Sequence, residues 1–405
     1  MRVAVIGAGP AGAMAAVRLA RAGASVMLFD PSHPREKPCG GGLTGRALSL
    51  VADVIDIRAL PSVVVRSADV EGPERTAHVP LVDRGASPQS SLLIFSRAVF
   101  DRALVDAAVA SGARLVPEKC VDVIRHGSHM TVCTGRARYD IDQVLGADGA
   151  NSLVRKRLAR PFARAELSVA AGFFVRGATT STIAIRTMSE QPGYLWSFPR
   201  PDHLAVGICS PATHRTTSSD LRVQSAAWIE RHGFDRSTQL VPYSWPIPSI
   251  GDQSQRDIAF GGSGWMLLGD AAGLVDPLTR EGIYYALLSG QWAADALVST
   301  GSQPAASQYA DRLRGDVQPE LARAARLSGL FFTQAFSSLI VRGLEDSDDI
   351  RAAFVDLVAG VQPYRGLRRR LLATREWMLA ARAIPMLLRS GFTGTMNAVA
   401  SPQEM

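Results

Sequence analysis

The stretch VAVIGAGPAGAMAAVRLARAGASVMLFD, residues 3–30, leaves this chain few ways to fold. Residues 3–6 are a short apolar run of the kind that forms a buried parallel strand, and residues 26–29 are a second. Between them Gly7, Gly9 and Gly12 make a GxGxxG pattern that opens an alanine-rich helix. Each glycine has its own task. Gly7 makes the tight turn, Gly9 lets backbone approach a pyrophosphate, and Gly12 lets helix and strand pack closely. The helix N-terminus stabilises phosphate charge. Asp30, at the end of the second run, can accept hydrogen bonds from an adenosine ribose, a charged bond worth about 1.5–3 kcal/mol. Strand, glycine turn, helix, strand and acid at these spacings predict a βαβ nucleotide-binding unit in an α/β fold.

That unit alone does not separate FAD from NAD, but later segments do. LGADGANSLVR (145–155) ends a strand at Asp148-Gly149. GWMLLGDAAGLVDPLTREGIYYALLSG (264–290) gives a strand, Gly269-Asp270, a loop, and a helix from about Gly282. Small residues after a strand and before a helix suit contact with phosphate or cofactor backbone. An extended FAD needs such a distant returning segment, whereas an ordinary NAD domain does not. KPCGGGL (37–43) then sets Cys39 beside Gly40, Gly41 and Gly42. Adjacent glycines are costly to order, so something must come close to the backbone there.

A chain of 405 residues suits two or three packed units, and 47% hydrophobic with 20% charged residues is an ordinary globular composition. No charged leader precedes an apolar core, and no run approaches the roughly 20 apolar residues of a membrane span. Cys39, Cys120, Cys133 and Cys209 show no paired spacing and read as reduced thiols of a cytoplasmic protein. The net charge of +7 rests almost wholly on arginine, the lysines being Lys37, Lys119 and Lys156. Codon bias explains this; so does attraction to an anionic partner such as a diphosphate, a lipid headgroup or an acidic protein or peptide. No aromatic-interleaved basic stretch or groove-reading helix points to nucleic acid. His126 and His129 flank a Gly-Ser turn, which reads as a solvated loop, and no metal site is expected.

Taken together, the N-terminal glycines, ADGANS and GDAAG resemble the FAD-binding fold shared with p-hydroxybenzoate hydroxylase. KPCGGGL, GYLWSFPR (193–200) and GDAAGLVDPLTREGIYYA resemble the geranylgeranyl reductase family. The resemblance implies FAD as cofactor, with NAD(P)H or a reduced electron carrier as donor. It implies that Ala11 and Asp30 hold the phosphate and ribose end, and that Cys39, Gly40 and Gly42 line the flavin, their backbone flat against the ring. Arg97 then reaches the cofactor from the start of a helix, Val121 borders the adenine through its backbone, and Asp148 closes the ADGANS turn on the cofactor. Asp270 takes the ribityl or pyrophosphate part, and Gly282 and Ile283 approach the ring. Arg280 stands where the family usually has glycine; beside a flavin it binds an anionic group or points to solvent. Cys39 is the candidate catalytic residue, its thiol facing the reacting side, with a small buried packing cysteine as the alternative.

The expected fold is a Rossmann-like FAD-binding domain (1–49, 93–156 and 261–304) interleaved with a strand-rich substrate domain (50–92 and 157–260), followed by a helical C-terminal region (305–405). Tyr194, Trp196 and Phe198 lie two apart and share one strand face. They form either a core packing face or an apolar wall over the flavin. From about residue 305 apolar residues recur at helical spacing. The basic segment 364–392, with Leu367, Leu371, Trp377 and Met378 interspersed, either packs on its own domain or rests on anionic lipid as a peripheral membrane contact. The final SPQEM reads as a frayed end.

By that resemblance the chain is an FAD-dependent oxidoreductase that reduces carbon–carbon double bonds of a polyprenyl small-molecule or lipid substrate. The rival is an FAD monooxygenase hydroxylating an aromatic ring, a phenol or a tryptophan, in a peptide or free. A non-catalytic flavoprotein is disfavoured by three intact cofactor motifs. A halogenase is disfavoured because it needs a catalytic lysine and the chain offers only three lysines.

Overall fold

A computed structural model of the chain describes residues 1–81, 92–127, 129–188, 192–213, 215–234, 239–299, 303–374 and 376. The N-terminal motif folds as its spacing predicts, into β1 (Arg2–Ile6), α1 (Pro10–Arg21) and β2 (Ser25–Phe29). Pro10 at the first helical position suits α1, because its fixed φ is already helical and the missing N–H would have no partner there. β1 and β2 pair in parallel at the centre of a six-stranded sheet. In spatial order the sheet runs Gly261–Gly262, Trp265–Leu267, Gln143–Gly146, β1, β2, Arg114–Val116. Only the Gly261–Gly262 edge strand is antiparallel. Residues Val3, Ala4 and Val5 are fully buried, as a strand covered on both faces requires.

The helix Ile283–Val298 crosses α1 through Gly290. A Cβ there would stand 2.3 Å from the Ala11 carbonyl oxygen, so only glycine allows the approach. This crossing brings the GDAAG segment back against the N-terminal glycine loop.

The second layer is a seven-stranded sheet. Its order is Leu240–Pro248, Leu167–Arg176, His203–Pro211, Tyr194–Pro199, Thr182–Thr187, Ser67–Glu71, Thr76–Pro80, antiparallel except for the Thr182–Thr187/Ser67–Glu71 pair. Its strands come from chain segments on either side of the strands of the first sheet, so the two layers are interleaved in sequence. The period of two sorts its faces. Leu195, Val206 and Ile208 pack with Leu221 and Trp228 of the helix Ser218–Arg231, while Trp196, Ala205 and Cys209 face the other way.

The C-terminal region is helical over Gln318–Phe331, Gln334–Asp346, Asp348–Val358 and Leu367–Ala373. Val341 and Leu344 share a buried cluster with Val70, Val79 and Ile183 of the second sheet. Of the basic segment, Trp377 and Met378 lie outside the described residues. Among the described residues no single helix is long and apolar enough to cross a membrane.

Candidate active site

A cavity of about 640 Å³ runs between the two layers, from the N-terminal glycine loop to the aromatic face of Tyr194–Pro199. Gly7 adopts φ 102°, and a Cβ on Gly12 would lie 1.9 Å from the Gly7 carbonyl oxygen, so this pair closes the turn. A Cβ on Gly9 meets nothing nearer than His33 Nε2 at 3.8 Å, leaving its backbone open to the cavity.

Asp30 lies at the end of β2, but its carboxylate is already engaged. Oδ2 accepts from the Ala8 amide (3.0 Å) and contacts His33 Nδ1 (2.7 Å); Oδ1 accepts from the amides of Ser32 and His33. Burial opposes its charge, but His33 and these amides together hold it well below the usual carboxylate range. In this structure Asp30 ties the glycine loop to the turn that follows β2 while lining the cavity. Asp148 is engaged in a similar way. It accepts from Ser152 Oγ (2.5 Å) and the amides of Leu153 (2.6 Å) and Val154 (3.2 Å), capping the helix Leu153–Leu158 while bordering the cavity. Val121 points outward and is half exposed; Lys119 and Cys120 form the cavity wall there.

The glycines of KPCGGGL have a reason within the protein itself. A Cβ on Gly40 would lie 2.9 Å from the Phe198 ring, one on Gly42 would lie 3.1 Å from Leu92, and Gly41, at φ 75°, sits against the Phe95 carbonyl. Packing of the loop against the strands therefore demands glycine here, and the same three residues line the cavity. The fully buried Arg200 donates to the carbonyls of Cys39 and Lys37 and pairs with Glu36. Glu36 also accepts from Ser96 Oγ and the amides of Arg97 and Ala98 at the start of the helix Arg97–Ala110. KPCGGGL and YLWSFPR are therefore two halves of one contact, and their last and most connected member, Arg200, escaped the sequence reading.

Cys39 borders the cavity, its Sγ 3.1 Å from the Gly41 amide and 3.5 Å from Arg97 NH1. Arg97 itself is held by a bidentate pair with Asp101 at 2.8 Å. Asp270, Gly282 and Ile283 converge on the same cavity. No protein donor among the described residues reaches the Asp270 carboxylate, and burial pushes its pKa up while Lys37 and Arg97 pull it down. Lys37 faces the cavity too, which corrects the weight placed on the scarcity of lysines. Burial, then Arg97 and Arg35, bring its ammonium down to about 8. Arg35 and Lys37 both stand over the Trp245 ring, at 5.0 and 5.2 Å, without a carboxylate partner among the described residues. Two unpaired cations, a donor-less acid and an open glycine backbone are the groups that a diphosphate and a polyol satisfy. The residues fit FAD: Gly9, Ala11, Arg35 and Lys37 would serve the phosphates, Asp270 the ribityl, and Cys39, Gly282 and Ile283 would lie beside the ring.

Tyr194, Trp196 and Phe198 all line the cavity, so the stripe is a pocket wall as well as a packing face. Beyond them the cavity continues as an apolar arm, with Val70, Ile183 and Ile185 on the sheet side and Ile340, Phe354 and Leu357 opposite. This roof comes from the C-terminal helices, whose part in the site no motif announces. Tyr194 stacks on Phe332 of that roof at 5.8 Å.

The FAD binding domain family matches residues 1–286. Menaquinone reductase of Mycobacterium tuberculosis is 32% identical, covering 73% of this chain and 76% of its own. Geranylgeranyl diphosphate reductase of Rhodobacter capsulatus is 29% identical over 89% of this chain and 88% of its own. The crystal structure of a geranylgeranyl bacteriochlorophyll reductase-like protein from Thermoplasma acidophilum superimposes with a TM-score of 0.73, at 22% identity, over 92% of this chain and 98% of that one. With its glycine loop, cavity and family match in accord, the chain belongs to the FAD binding domain family and is an FAD-dependent oxidoreductase with geranylgeranyl reductases among its relatives.

Proposed function

We propose that this enzyme reduces carbon–carbon double bonds in the polyprenyl chain of a small-molecule or lipid substrate. The observation that carries the reading is the apolar arm between the second sheet and the C-terminal helices, continuous with the cofactor cradle. Held beside Cys39, Gly282 and Ile283, reduced FAD would supply the hydride for one alkene carbon, and a proton must reach the other. An isolated alkene is a poor hydride acceptor, so the protein's contribution is to orient the bond and exclude water. Trp196 and Phe198 wall one side and Phe332 and Phe354 another. Cys39 is the candidate proton carrier, with Arg97 and the Gly41 amide fixing its Sγ. NAD(P)H or a reduced electron carrier serves as donor. Exposed Leu371 and Leu372, on a helix with exposed Arg368 and Arg369, support peripheral contact with anionic lipid.

The test is anaerobic single turnover. Chemically reduced enzyme mixed with geranylgeraniol should be reoxidised, and the product should gain two hydrogens per bond reduced. Product that forms only with oxygen, and carries an added oxygen atom, would instead establish a monooxygenase.

A further inference from the structure

Arg280 is the one non-glycine residue among those described with a positive φ, 59°. A side chain in that region costs about 1–2 kcal/mol of backbone strain and persists only where its surroundings hold it. Glycine would relieve the strain, so what retains arginine here is its side chain. That side chain borders the cavity, two residues before Gly282. NH1 donates to Ser249 Oγ at 2.7 Å and NH2 to Ser168 Oγ at 3.3 Å. Nε is buried without a partner. No carboxylate among the described residues pairs with this guanidinium; the neighbouring Glu281 is taken by Arg46 and Thr44. Its field reaches Tyr194 and Cys209, favouring their ionised forms against burial. The cation is thus fixed by two hydroxyls, not neutralised, and retains donors for one more acceptor.

We propose that Arg280 is a specificity-determining residue that binds a monoanionic oxygen group of the substrate, a carboxylate, beside the flavin end of the cavity. This rests on the polyprenyl reading above and extends it: the substrate is an acidic amphiphile, its oxygen group at Arg280 and its chain in the arm under Ile340 and Phe354. A single guanidinium matches one negative charge. A diphosphate brings more charge than Arg280 alone can balance, and Arg35 and Lys37, which stand over Trp245, are the cations assigned above to the cofactor phosphates. Two serine hydroxyls hold the planar fork, so a carboxylate meets donors already oriented for it.

The experiment separates binding from turnover. Oxidised holoenzyme is titrated with phytanic acid and with phytanol, saturated ligands that differ only in the head group, followed by the change in flavin absorbance, so that the readout is binding alone. Wild type should bind the acid at least about tenfold more tightly than the alcohol, and Arg280→Gly should erase that difference by weakening the acid roughly ten- to a hundredfold. Glycine tolerates φ 59°, so the variant should fold and retain its FAD; Arg280→Lys, keeping charge without the fork, should fall between. Equal weakening of acid and alcohol would make Arg280 a structural pin. A lost or spectrally shifted flavin would assign it to the cofactor, and tighter binding of phytanyl diphosphate than of the acid would overturn the carboxylate. Discrimination by Arg280 without any alkene reduction would leave this inference standing and sink the reductase reading.

Discussion

Arg200→Met tests whether the buried clamp between the two motifs organises the site. Arg200 is fully buried and holds three acceptors: Glu36 and the carbonyls of Lys37 and Cys39. Methionine fills much of the same volume, so the loss is one of polar contacts more than of packing. Cutting one partner from a buried pair costs about 3–5 kcal/mol. Glu36 still accepts from Ser96 Oγ and two amides, so it is not orphaned, and the low end, about 3 kcal/mol, is expected. That corresponds to roughly a hundredfold in the folding equilibrium. Equilibrium urea unfolding of FAD-stripped protein measures it directly. FAD affinity should fall in Arg200→Met as the Cys39 loop loosens. A loss below about 1 kcal/mol, with FAD binding intact, would refute the clamp.

Lys37 makes the stability of the FAD-stripped protein pH-dependent. Its folded pKa, about 8, lies below the ordinary value of 10.5, so between those two pH values the unfolded chain holds the extra proton and stability rises with pH, by an order of 3 kcal/mol in all. Lys37→Met should flatten that rise in urea unfolding from pH 7.5 to 10, and FAD affinity of the wild type should decline above pH 8 as the ammonium loses its proton. Asp148→Ala should cost about 1 kcal/mol through the lost helix cap, seen in the same unfolding assay; a large loss of FAD without that destabilisation would restore Asp148 to direct cofactor contact. Gly40→Ala forces Phe198 to move from 2.9 Å, so turnover and flavin absorbance should both change; a variant indistinguishable from wild type in both would show that the ring yields freely. Cys39→Ser should retain FAD yet lower turnover per flavin, and equal turnover would leave Cys39 a packing residue.

The sequence by itself determined the βαβ unit, the parallel sheet and the FAD class. Those depend on local chemistry: a glycine turn, a helix start and an apolar strand are written within about thirty residues, and Gly7, Gly9 and Gly12 perform tasks that no other residue type can. The period of two likewise placed Tyr194, Trp196 and Phe198 on one face. Only the tertiary structure decided what those faces meet. Asp30 and Asp148 have the right type and spacing for a ligand, and only the packed chain shows that each also accepts hydrogen bonds from nearby amides and hydroxyls. The glycines after Cys39 answer to Phe198, Phe95 and Leu92, which lie far away in sequence. The roof over the apolar arm comes from helices whose spacing shows one apolar stripe but not its partner. Arg280 looked like a departure from a glycine; its φ of 59° explains why glycine suits the position, and a guanidinium held by two serine hydroxyls with no carboxylate partner among the described residues is what an arginine there adds. Local conformation is encoded by neighbours in the chain, whereas the occupancy of each polar group is settled only when distant segments pack together.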